Sequence, residues 1–331
     1  MKRKNNTYII LILIILSILS AIVYTIQKPK KKTLKLKLGT TFYLPIHSKE
    51  RHHMQSLEQF IEYFLPIQYN YEIVDTTQKS DITVWDIYLA DNAELREDEI
   101  NILICVENID HWKLDGYKHF SKYGNYGDPK MHIYLYNHID RIHKTQQSLA
   151  TPLIHNYIQY YQRNAHHTHP SKYISFHEKK FCLYTKRHKD AETDDILNTL
   201  NAIAPVDHIS QYTNILDKSC YHSVEFLNIL QQYKFIMCFE NSYKDGYITE
   251  KIFNCFFART IPIYKGSEKA DSYFSSGSYI NVRKIHWIED VKRVMNDEKL
   301  YNSYIHRQKI SNAYDNENYQ KELVHFIEQR V

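Results

Sequence analysis

Only five cysteines occur in 331 residues, and none falls in a Cys-x-x-Cys pair or at zinc-ligand spacing. Nothing in their placement argues for a thiolate metal site. Cys105, Cys182, Cys238 and Cys255 each sit inside an apolar run, which reads as buried thiols. Cys220, in a more polar stretch, is the one candidate for a disulfide. A strong charge of either sign is also lacking. The formal net charge is +4, and much of it lies in the first 37 residues. No extended basic face argues for nucleic acid as a partner. Glycine is scarce, at seven, in a composition rich in Ile, Lys, Asn and Tyr, which reads as a codon bias. Internal repeats are absent. The length suffices for two α/β domains, each with a sizeable core.

Long hydrophobic runs are lacking too, with one exception. Tyr8 to Ile26 is uncharged, mostly Ile and Leu, and about as long as a bilayer is thick. Lys2, Arg3 and Lys4 precede it; Lys28, Lys30, Lys31 and Lys32 follow, so charge gives no clean orientation. The run is long for a cleaved leader, and no small-x-small cleavage site follows. A signal anchor with the catalytic part outside the cytosol is the expectation. Residues 1–32 then form tail, anchor and linker.

The most informative stretch runs from Tyr233 to Gly266. Phe235 to Phe239 is a short apolar run bounded by polar residues, the pattern of a buried strand. The chain then crosses Glu240, Asn241 and Ser242 and a polar turn holding Asp245 and Gly246. From Thr249 to Ala258 the period changes to helical, with Ile252, Phe253, Phe256 and Phe257 on one face. Tyr247, Glu250, Lys251 and Asn254 are assigned to the other. Ile261 to Tyr264 reads as the next strand, completing one strand–helix–strand unit of a parallel sheet. Ligands of such sheets sit at the strands' carboxyl ends, where helix N-termini point. Exposed helix amides, Lys251 and the Tyr247 hydroxyl suit a diphosphate there, and Glu250 suits sugar hydroxyls. A sugar nucleotide fits this set better than a bare nucleotide. The plain alternative is an amphipathic helix with a solvated polar face.

The same residues resemble the donor-binding signature of glycosyltransferase family 10, the α-1,3/4-fucosyltransferases. Phe239-Glu240-Asn241-Ser242, Tyr247-Ile248-Thr249-Glu250-Lys251 and Pro262-Ile263-Tyr264-x-Gly266 carry the likeness. Arg259 and Lys265 depart from it, standing where the family often has a small residue and a bulky apolar one. The resemblance implies a GT-B architecture, two Rossmann-like α/β domains facing a cleft. It implies an inverting enzyme that moves fucose from GDP-fucose to a hydroxyl of a glycan or glycoprotein acceptor. Asn241, Tyr247, Glu250 and Lys251 would bind the donor. It also implies a type II membrane protein of Golgi type, with a lumenal catalytic domain. No Asp-x-Asp occurs in the chain, so no metal cofactor is expected.

Upstream, Thr33 to Leu38, Tyr71 to Val74, Ile82 to Trp85 and Ile100 to Val106 read as strands, and Met54 to Phe64 as a helix. Glu107 follows the last of these strands. The family carries a Gly-Glu-Asn-like motif there, whose Glu is the proposed catalytic base; Val106-Glu107-Asn108 matches its last two residues. Leu149 to Tyr161 reads as a helix. The polar connection after it holds His166, His167 and His169, more plausibly a surface linker than a metal cluster. The N-terminal domain is taken as 33–170 and the nucleotide-sugar domain as 171–331. In the latter, Lys180 to Tyr184 reads as a strand, Ile196 to Ile203 as a helix, and Tyr319 to Arg330 as the closing helix. Leu200 to Val206 resembles a family segment that lies downstream of a phosphate-binding arginine, and this places Thr193 at the arginine's position. Arg187, just upstream, is the candidate to supply the missing charge. Two readings outside active fucosyl transfer stay open: a sugar-nucleotide or glycan-binding protein without turnover, and a related transferase using another donor sugar.

Overall fold

Two sheets form the frame, and every strand pairing in them is parallel. The structure is a computed structural model and describes residues 31–39, 56–86, 95–105, 130, 132–136, 149–166, 170, 172–185, 191–212, 223–243, 246–314 and 317–331. The first sheet holds β1 (Thr33–Leu38), β2 (Asn70–Ile73), β3 (Ile82–Asp86), β4 (Ile100–Cys105), β5 (Ile133–Tyr136) and β6 (Leu149–Pro152). Its order is β2-β1-β3-β4-β5-β6. The second holds β7 (Lys180–Tyr184), β8 (Val206–His208), β9 (Tyr233–Phe239), β10 (Ile261–Lys265) and β11 (Ile280–Asn281), ordered β11-β10-β9-β7-β8. The chain is thus an α/β protein, as the sequence leads one to expect. The apolar run Tyr8–Ile26 lies outside the described residues; among those described, no helix is long and apolar enough to cross a membrane.

Parallel neighbours need crossovers, and helices supply them. Described helices include α1 (Leu57–Phe64), α2 (Leu153–Asn164), α3 (Ala191–Asn201), α4 (Val224–Leu230), α5 (Glu250–Phe257), α6 (Trp287–Asn296), α7 (Glu298–His306) and α8 (Glu317–Glu328), besides a single turn at Ala270–Tyr273. All six residues of β4 are buried, as befits a strand covered on both faces. Beside it, the Lys37 ammonium lies 2.8 Å from Glu99, both side chains buried. Burial alone would raise the Glu99 carboxyl, but Lys37, the Ser80 amide and the Thr83 hydroxyl outweigh it and hold it low.

The helix expected from Leu149 begins four residues later. Leu149 to Pro152 instead pairs with β5 as the edge strand. Leu149, Leu153 and Tyr157 keep helical spacing across the junction, which hides it from periodicity. Pro152 decides it: the ring fixes its φ near −63°, and lacking an N–H it is better placed ahead of α2 than within a helix.

Helix α2 joins the two halves. Tyr160 stacks on Tyr63 of α1 at 3.7 Å between centroids, while Tyr161 lies 5.0 Å from Phe257 of α5. One apolar core therefore runs from the first sheet through α2 to α5. Helix α8 returns to the same place, where the Tyr319 hydroxyl donates to Asn156 at 3.1 Å. His155 of α2 is stacked against Tyr314 and Tyr319 and hydrogen-bonded to the Tyr314 hydroxyl.

Burial pushes the His155 imidazole down to about 4. The unfolded chain, with an imidazole near 6.5, binds a proton that the folded chain rejects. Stability from this site is full above pH ~6.5 and is lost as pH falls towards ~4, about 3 kcal/mol in all. Denaturation midpoints should fall across that window, and His155→Gln should make the fall shallower. An unchanged slope in the variant would assign the effect elsewhere.

Helix α5 ends in a Schellman turn. The Arg259 amide donates to Phe256 and the Thr260 amide to Cys255, at 3.2 and 3.1 Å. Arg259 takes the left-handed position at φ +52°, where glycine is the usual residue. A side chain there costs about 1–2 kcal/mol, offset in part by glycine's greater unfolded-state entropy. Arg259→Gly should therefore raise the unfolding free energy by about 0.5–1 kcal/mol, read from urea midpoints.

Candidate functional site

The second sheet reverses direction between β7 and β9. From β7 the chain crosses by α3 to β8 on one side; from β9 it crosses by α5 to β10 and on to β11 on the other. Crossovers from β7 and β9 therefore leave to opposite sides, and it is in the crevice outside the carboxyl ends at such a switch point that open α/β sheets hold ligands. The two crossover helices lie on opposite faces. Phe235, Met237 and Phe239 pack with Leu200 of α3, whereas Ile236 and Cys238 pack with α5. Glu240 continues the second set by strand alternation and so points to the α5 side.

Glu240 is fully buried and organises the site. Its carboxylate accepts from the Thr249 amide at 2.8 Å, the Thr249 hydroxyl at 2.7 Å and the Tyr264 hydroxyl at 3.4 Å. Thr249 is the N-cap of α5, so Glu240 fixes where that helix starts. The Lys251 ammonium lies 3.4 Å from Glu240 and 3.0 Å from the Asn241 side-chain oxygen, with its side chain 29% exposed. Burial raises the Glu240 carboxyl, and Lys251 and Thr249 offset this only in part. Burial works against the Lys251 charge, yet Glu240 and Glu250 hold its pKa above the usual lysine value. A Cβ on Gly266 would meet the Tyr264 hydroxyl at 2.2 Å and Glu240 Cγ at 2.7 Å. Only glycine leaves room for this frame.

Of the residues singled out by sequence, Asn241, Glu250 and Lys251 come together at this edge. Asn241 is exposed and Glu250 half-buried. Tyr247 stands nearby but is buried, as is Asn254, which corrects their assignment to a solvated helix face. Tyr247 precedes the first helical residue, so helical periodicity does not govern it. Asn254 is covered because α5 is enclosed by the sheet, α2 and α4. Lys265 is buried beside the Tyr243 ring, 4.3 Å from its centroid. Thr193 lies wholly buried in α3, so an arginine substituted there would have to leave the core to meet a ligand. Glu107 and Arg187 lie outside the described residues, as do Cys220, His167 and His169; His166 is exposed. The sequence pattern places Glu240 at the carboxyl end of the strand but assigns it no role. Its signal was the alternation Ile236, Cys238, Glu240, which carries it into the helix-covered face.

Residues 174–328, which contain this crevice, match the family model described as glycosyltransferase family 10 (fucosyltransferase) C-term. That stretch is similar to the C-terminal domain of this family. An alpha-(1,3)-fucosyltransferase of Helicobacter pylori is 40% identical over 118 residues, covering 35% of this chain and 22% of that protein. A putative fucosyltransferase of Acanthamoeba polyphaga mimivirus is 25% identical over 262 residues, covering 74% of this chain and 39% of that protein. The chain thus spans less than half the length of these two curated relatives. A crystal structure of an alpha1,3-fucosyltransferase with GDP-fucose shares the fold, with TM-score 0.58 and 18% identity. The superposition covers 92% of this chain and 91% of that one. The matched residues span the whole of the second sheet, with Glu240, Lys251 and Gly266 at its carboxyl edge.

Proposed function

We propose that the chain is an inverting fucosyltransferase of GT-B architecture, moving fucose from GDP-fucose to a hydroxyl of a glycan or glycoprotein acceptor. What carries this reading is the Lys251 ammonium, held by buried Glu240 at the switch-point crevice of the stretch similar to family 10. Departure of GDP builds negative charge on its diphosphate. Lys251 and the N-terminal amides of α5 are the groups that meet such charge, and they meet more of it in the transition state than in the bound donor. Asn241 steadies Lys251, Tyr247 walls the pocket, and Glu250 takes sugar or ribose hydroxyls. Glu107, two residues beyond β4, serves as the base that takes the acceptor's proton. Arg187, three residues beyond β7 in the sequence, is assigned to the phosphates as the missing charge. Anchoring through Tyr8–Ile26, with the catalytic part in a Golgi-type lumen, belongs to the same proposal and rests on sequence.

A screen of nucleotide sugars, detecting released nucleoside diphosphate, tests the reading. Release should be greatest with GDP-fucose in the presence of a glycan acceptor. Preference for another nucleotide sugar would leave the fold's chemistry and overturn the donor. Thr193, buried where the family signature places an arginine, favours a second reading, a binding protein without turnover. That reading predicts GDP-fucose binding with no release.

No metal is assigned a part, because lysine and helix amides supply the positive charge at the phosphates. Activity should survive EDTA. Loss in chelator, restored by Mn²⁺ or Mg²⁺, would contradict this assignment.

A further inference from the structure

Among the described groups bonded to Glu240, only Lys251 carries a charge; Thr249 and Tyr264 offer neutral donors. Among the described residues, the other titratable groups that act on this pair are Cys238 on β9, Cys255 and Glu250 on α5, and Tyr264 on β10. None of these adds positive charge. Lys251 is nevertheless shared. Its contact with Glu240, at 3.4 Å, is longer than the ~2.7–2.9 Å of a strong charge-assisted bond, and its side chain reaches solvent. Glu240 has no such freedom. Thr249 pins both oxygens, and the space at Gly266 fits its Cγ closely.

We propose that binding of a nucleoside diphosphate in this crevice is coupled to uptake of one proton from solvent by Glu240. The inference rests on the reading of the crevice as a nucleotide-sugar site and adds a step to it. The arriving diphosphate carries more negative charge than Glu240 and is open to Lys251, so it draws the ammonium outward. A carboxylate left buried without its cation, close to new negative charge, costs several kcal/mol. Taking up a proton removes that cost: one carboxyl oxygen gains the proton, and the Thr249 hydroxyl turns to accept from it. The net charge of the site falls by one proton less than the ligand brings. Burial already raises the Glu240 carboxyl before any ligand arrives, which places it within reach of this change.

Calorimetric titration of GDP into the full chain, in mild detergent, tests this in Tris and in HEPES, whose ionisation enthalpies differ widely. At about pH 7.5 the terminal phosphate, with a pKa of about 6, is already ionised and contributes little proton exchange. The enthalpy difference should correspond to uptake approaching one proton, and wild-type affinity should weaken by up to tenfold per pH unit above this range. Glu240→Gln keeps an acceptor for Thr249 and should bring the uptake close to zero. Equal enthalpies in the two buffers, with GDP bound, overturn the proton coupling and leave the nucleotide reading standing. Undiminished uptake in the variant overturns the assignment to Glu240. The wild-type comparison decides the matter even where the variant fails to fold. Absence of any GDP binding by folded wild type overturns the nucleotide reading, and the coupling with it.

Discussion

Glu107→Gln should lower turnover by ~10²-fold or more while GDP-fucose binds close to the wild-type level. The amide keeps the shape and size of the carboxylate but cannot accept a proton. An acceptor hydroxyl attacking the anomeric carbon becomes acidic only as its bond to that carbon forms, so the base acts in the transition state. Its removal therefore lowers kcat and leaves donor affinity alone. Steady-state rates and a GDP-fucose titration on the same sample separate the two. Normal turnover in the variant would reduce Glu107 to a loop charge after β4.

Lys251→Met should show a double effect. Turnover should fall by ~10²–10³-fold, the scale for removing one charged or hydrogen-bonding group that stabilises developing charge. Stability should fall as well, by up to about 3–5 kcal/mol and by less at lower pH, because Glu240 would be left buried with no cation beside it and must stay ionised at that cost or take up a proton. The second effect has its own control. Adding Glu240→Gln removes the stranded charge, so the double variant should regain much of the stability and none of the turnover. If Lys251→Met alone is as stable as wild type, Glu240 is not dependent on Lys251 for its charge balance.

The sequence made the core of this site legible because two periods meet there. Phe235 to Phe239 and Ile261 to Tyr264 are continuous apolar runs, as strands of a parallel sheet covered on both faces must be, and Ile252, Phe253, Phe256 and Phe257 recur at helical spacing between them. What periodicity missed lay at the joins. Tyr247 stands before α5 begins, so a helical wheel misplaces it. Leu149 to Pro152 shares its spacing with α2 and shows its strand character only through pairing with β5. β8 is three residues long, too short for a pattern of its own. Glu240 was visible as a residue and hidden as a hub, since its role depends on Thr249 and Lys251 at the start of α5 converging with Tyr264 and the missing side chain of Gly266 at the end of β10.

The central claim is that the Glu240–Lys251 crevice holds GDP-fucose for transfer to a glycan. Its most direct test incubates the chain with GDP-fucose and a panel of glycan acceptors, with the products analysed by mass spectrometry and NMR. The account predicts an acceptor heavier by one fucose, its anomeric configuration opposite to that in the donor, in amounts equal to the GDP released. GDP-fucose bound without any transfer, or a product that retains the donor's configuration, would contradict it.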